Sequence, residues 1–194
     1  LTGMKDSRLN IVRHAYGDVS EGGPVYDNTS SLMMGEWYAE RSFPLPVVSG
    51  TTVTSGGVCV ESKTYSYCDA VVSTDGLGFL CFGRVREKDN ILDISTESIN
   101  DPAVLGHPVI VTAHRGNITG PRLSRIENFV DPVYNSFGKP VDTRLMMVSS
   151  IDDMSGIRGS DSNMYDAYGF PISSTSERWI DASHKQTRTV TRTY

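Results

Sequence analysis

Along most of this chain, apolar and polar side chains trade places over short stretches, and few apolar positions recur at helical spacing. The C-terminal run shows the pattern most plainly. Thr187, Thr189, Thr191 and Thr193 fall on one face, with Arg188, Val190, Arg192 and Tyr194 on the other. A period of two separates these sets, whereas a period of 3.6 would mix them. Neither face is strongly apolar, so 187–194 is predicted as an edge or inter-chain strand. Stretches 9–16, 51–65, 67–74 and 108–115 are rich in Val, Ile, Thr and Tyr, which suit a pleated, half-buried surface.

Turn residues interrupt these stretches at short intervals. Gly22-Gly23-Pro24, Pro44-Leu45-Pro46, Ser55-Gly56-Gly57, Asp75-Gly76 and Gly138-Lys139-Pro140 supply the fixed or positive φ that reversals need. Asp75-Gly76 suits a two-residue hairpin loop, which would pair residues whose numbers sum to 151 and set Cys68 opposite Gly83. One short helix is predicted over 31–41, where Met33, Trp37 and Arg41 recur at i, i+4 despite Gly35. The fold class expected is all-β: an antiparallel sandwich, jelly roll or barrel-like sheet with at most that one helix. Residues 1–194 read as a single β-rich domain, with 1–46 a candidate N-terminal arm or subdomain.

Composition narrows the function classes. With 194 residues and 21.3 kDa, the chain is long enough for a core of its own. A net charge of −5 and a pI near 5.3 argue against a nucleic-acid partner, and no apolar run suggests membrane insertion. The first residue is Leu1 rather than Met, as expected of a processed product or an excised domain.

Catalytic and metal motifs are sparse. Cys59, Cys68 and Cys81 form no C-x-x-C, so they are expected as reduced thiols in strands, with a Cys59–Cys68 bridge as the alternative. His107 and His114, an odd number of residues apart on one strand, point to opposite faces. Asp161-Ser162-Asn163 opens like a calcium loop, but Asp166 stands where that loop requires Gly. No metal is expected. Gly76-Leu77-Gly78 lacks the third glycine of a dinucleotide loop, and no cofactor is implied.

Ser20 after Gly17-Asp18-Val19, Asn117 in mid-chain and Asp181 ahead of His184 follow one another in an order that resembles the SGNH-type (GDSL) hydrolases. The resemblance implies Ser20 as nucleophile, His184 as base, Asp181 as its orienter and Asn117 in the oxyanion hole. Here Val19 separates Asp18 from Ser20, and the helices of that fold are not predicted. A serine esterase, or part of a glycan-degrading enzyme, is therefore the alternative reading.

Thirteen of the eighteen basic residues are Arg, which binds carboxylates through two parallel hydrogen bonds and suits contacts between chains. Arg84 and Arg86 share a strand face and, with Trp37 and Tyr38, are the candidate ligand-binding set for an acidic sugar. The Ser/Thr/Gly-rich strands are similar in style to β-structured domains of bacteriophage tail fibres, spikes and viral surface proteins. The function expected is thus a non-enzymatic structural or attachment module of a viral or phage particle, placed on the virion or extracellular surface. Its expected partners are further copies of itself, other particle proteins or a cell-surface glycan.

Overall fold

The computed structural model describes residues 2–5, 10–19, 25–27, 37–41, 44–76, 78–181 and 183–192. It is all-β and mainly antiparallel. The strands are β1 (Thr2–Lys5), β2 (Ile11–Asp18), β3 (Tyr26–Asp27), β4 (Tyr38–Glu40), β5 (Pro46–Ser55), β6 (Val58–Ser73) and β7 (Phe79–Asp89). They continue as β8 (Ile94–Asp101), β9 (His107–Arg115), β10 (Arg122–Tyr134), β11 (Pro140–Asp152), β12 (Arg158–Tyr165), β13 (Pro171–Trp179) and β14 (Lys185–Thr191). One continuous sheet runs in the order β1-β2-β5-β6-β7-β8-β9-β10-β11-β12-β13-β14. From β5 onward each strand pairs with the next in the chain, an up-and-down meander.

β6 organises the N-terminal half. One of its edges pairs with β7 from Lys63 to Val72. β5 leaves the other edge after Thr64, and β3 at Tyr67–Cys68 and β4 at Val71–Ser73 take up the pairing. Asp69, left-handed at φ 59°, breaks the alternation, so Tyr67 and Ala70 serve one apolar cluster. That cluster joins Val19, Tyr26, Val47 and Ala70, and a second joins Tyr38, Val71 and Cys81. Two tyrosine hydroxyls tie the first cluster to backbone: Tyr26 accepts from the Ala70 amide at 3.1 Å, and Tyr67 donates to the Val48 carbonyl at 2.8 Å.

The short helix expected over 31–41 is corrected. Residues 31–36 lie outside the described residues, and Tyr38–Glu40 is a strand antiparallel to β6. Burying Tyr38 against Val71 and Cys81 outweighs the weak helical spacing. Next to the turn the hairpin keeps the expected register, with Val72 facing Phe79. A bulge between Val71 and Val72 shifts it by one beyond that point, so that Val71 faces Cys81 and Cys68 faces Arg84 rather than Gly83. The Ser73 amide bonds to the Gly78 carbonyl, and the Ser73 hydroxyl bonds to Asp75, which closes a longer loop than Asp75-Gly76 alone. Gly56 and Gly57, at φ 57° and 84°, do form the two-residue reversal between β5 and β6.

Most other loops share one device, an Asp or Asn that accepts backbone amides ahead in the turn. Asp89 takes Ile91 and Leu92, Asn135 takes Phe137 and Lys139, and Asp152 takes Met154 and Ser155. Asp166 takes Tyr168 and Phe170 in the same way. Of the two aspartates in the stretch that opens like a calcium loop, Asp166 is therefore turn-forming, as this short side chain favours. Asp161 is instead paired with Arg178 and Ser176.

The core is confined to the first half. Every buried hydrophobic side chain among the described residues lies between Val19 and Val104. Among the described residues from 105 onward only Pro140 and Gly159 are buried.

Candidate functional site

A concavity of about 820 Å³ lies on one face of the C-terminal half. Strand register builds it. Arg125 on β10 faces Ile151 on β11, Ile151 faces Arg158 on β12, and Arg158 faces Trp179 on β13. These four form one row across the sheet. Two residues along each strand, Glu127, Ser149 and Ser160 form the next row on the same face. Arg122, Gly156 and Asp181 close the end of the cleft nearest the loops.

Its charges are only partly matched. Arg122 grips Asp153 through Nε and Nη2, at 2.6 and 2.9 Å, and this holds the Asp153 carboxyl below the usual carboxylate range. Arg125 pairs with Glu127 through Nη2, while its Nε is buried without a partner. Arg158 makes no ion pair or side-chain hydrogen bond with any described residue. Trp179 is half-buried, with the Lys185 ammonium 5.6 Å from its ring centre and that ammonium bonded to Glu177 at 2.7 Å.

The expected ligand-binding residues fall elsewhere and in two groups. Arg84 and Arg86 share a face and converge on Glu97, at 3.7 and 2.6 Å. Arg86 lines a second hollow of about 390 Å³ together with Asn117. Trp37 and Tyr38 instead pack with Val71 and Cys81, where burial raises the Tyr38 phenol above its ordinary value. Neither arginine belongs to that cluster.

Of the residues in the esterase alternative, Ser20 lies outside the described residues. Asp181 does meet His184, Oδ2 to Nδ1 at 2.7 Å. Its other oxygen accepts the Ser183 and His184 amides, and these bonds keep its carboxyl acidic. The pair is thus one more loop closure, exposed to solvent. Asn117 is held by its own turn through Thr119 and sits four strand spacings away, about 19 Å along the sheet.

The cysteines are free thiols. Cys59 and Cys68 lie nine residues apart on β6, roughly 30 Å along the strand, so a bridge between them is excluded. Burial pushes Cys81 up to about 11, and it also raises Cys68. Glu40, which sequence reasoning passed over, is raised by burial and by the neighbouring Asp69. Among the described residues no group of His, Cys, Asp and Glu is placed to hold a metal ion.

The chain matches no family model and no curated protein. Among solved structures, a porin-like protein from Bacteroides uniformis aligns over 96% of this chain and 91% of its own at 10% identity. Its TM-score of 0.23 is too low to bear on fold or function.

Proposed function

We propose that this chain is a non-enzymatic structural and attachment module that works as an assembly of several copies, in keeping with the particle proteins its composition resembles. The observation that carries this reading is the coreless second half. Five long strands, β10 to β14, bury no large hydrophobic side chain, while Phe129, Phe137, Met164 and Tyr168 stand 48%, 81%, 62% and 87% exposed. A sheet gains stability by covering one face, and a single wet layer does not do so. A second protein layer supplies that cover.

Lipid is a poor substitute, because charges occur on both faces. Arg125, Glu127 and Glu177 lie on one, and Asp161, Arg178 and Arg188 on the other. Neither offers the continuous apolar band of a membrane-spanning barrel. β14 adds a further point of contact, since its outer edge pairs with no described strand. The exposed Asp181–His184 turn, distant from Asn117, weighs against an esterase.

Light scattering and sedimentation test the proposal. We expect a defined oligomer that Phe129→Asp with Tyr168→Asp converts to smaller species. A strict monomer at high concentration overturns it. Turnover of a generic ester by the parent protein, lost in Ser20→Ala, would favour the enzyme instead.

A further inference from the structure

We propose that the cleft across β10–β13 binds a short saccharide carrying a single carboxylate, with Arg158 as the anion contact and Trp179 as the stacking plate. This does not depend on the oligomer, because every lining group comes from one chain. The chain as a whole is acidic, yet this hollow gathers three of its guanidinium groups. Arg158 is unengaged and exposed, and the buried Nε of Arg125 lacks an acceptor. A buried donor left unpaired is costly, so a ligand oxygen reaching it would be favoured. A planar guanidinium takes a carboxylate through two parallel bonds.

The remaining lining selects the ligand class. Trp179 presents a broad apolar surface beside the Ser149 and Ser160 hydroxyls, suited to a ring with one apolar face and many hydroxyls. Glu127 and Asp181 can accept bonds from sugar hydroxyls, and their negative charge disfavours a polyanion. An acidic peptide would leave the stacking surface and the serines unused. The geometry therefore favours one carboxylate on a neutral sugar frame.

Calorimetry and tryptophan fluorescence with sialyllactose, a glucuronic-acid disaccharide, lactose, a heparin tetrasaccharide and a Glu-rich peptide would test this. We expect at least one of the two monocarboxylate sugars to bind, and lactose to bind at least about tenfold more weakly than that sugar, the scale of losing one charge-assisted pair. Arg158→Ala should weaken it similarly, and Trp179→Phe should remove the fluorescence response. Arg188→Ala, on the opposite face, should leave binding unchanged. Both strands remain paired in these variants, and circular dichroism would verify that they fold. The proposal is overturned if lactose, heparin fragment or peptide binds as tightly, if Arg158→Ala has no effect, or if neither monocarboxylate sugar binds at millimolar concentration. Loss of oligomer with sugar binding retained would sink the assembly proposal alone.

Discussion

Arg178 lies across Gly159: a Cβ built at 159 would stand 2.8 Å from Nη1 of Arg178 and 3.0 Å from its Cδ. The missing side chain lets the arginine cross β12 and reach Asp161 on the same strand, Nη2 to Oδ2 at 3.0 Å. Ser150 Oγ, 3.0 Å from the same point, hems the position in from β11. Glycine is a weak strand former, and here it serves a close approach.

Gly159→Val should therefore destabilise the fold by about 2 kcal/mol, through overpacking and displacement of the ion pair. In an Arg178→Ala background the same change should cost about 1 kcal/mol less, because the clashing group is gone. Urea unfolding of the four proteins measures this coupling. Additive effects would show that the two residues do not interact.

Acid sensitivity follows from the same pair. Hydrogen bonds from Arg178 and then Ser176 hold the Asp161 carboxyl below its ordinary value. Its folded pKa is thus below the unfolded value of about 3.9, so the stabilisation is full above that pH and fades as pH drops through the folded pKa. The urea midpoints of parent and Arg178→Ala should differ at pH 7 and converge as pH falls through the lowered Asp161 pKa. A gap that widens on acidification would contradict the assignment.

Much of the fold was legible from the chain, and the reasons are local. The Gly56-Gly57 reversal, the alternation carried by Thr187, Thr189 and Thr191, and the absence of amphipathic helices each depend on neighbours in sequence. The hairpin register followed from Asp75-Gly76 only as far as Val72, because the bulge after Val71 shifted the rest by one. The cleft was harder still. Arg125, Arg158 and Trp179 meet only because three successive strand pairings bring them into one row, and no short motif encodes that. Arginines on β10 and β12 alternating with Ile151 and Trp179 were the available signal, readable once register is known.

Tyr26→Phe should cost about 1–2 kcal/mol although the ring stays. The Ala70 amide, fully buried, would lose its acceptor. Phe137→Ala, at an exposed loop, should change unfolding by less than about 0.5 kcal/mol in dilute protein. Denaturant titration of both variants checks the contrast, and equal effects would refute the placement of the core.

Thiol chemistry offers an independent probe of the same half. At pH 8 an aromatic disulfide reagent should label Cys59 rapidly in the native protein. Cys68 and Cys81, buried and with their thiols pushed toward the neutral form, should react only on unfolding. Three fast thiols per native chain would be incompatible with β6 and β7 as described.

Because consecutive strands are sheet neighbours from β5 onward, the molecule is modular in length. Removing the last hairpin, or appending another, swaps one terminal ribbon for a similar one without rethreading anything upstream. Such a chain can lengthen or shorten by duplication and deletion of hairpins while the packed Tyr26–Val71 region stays intact, leaving reach and surface chemistry to vary separately from the folding nucleus.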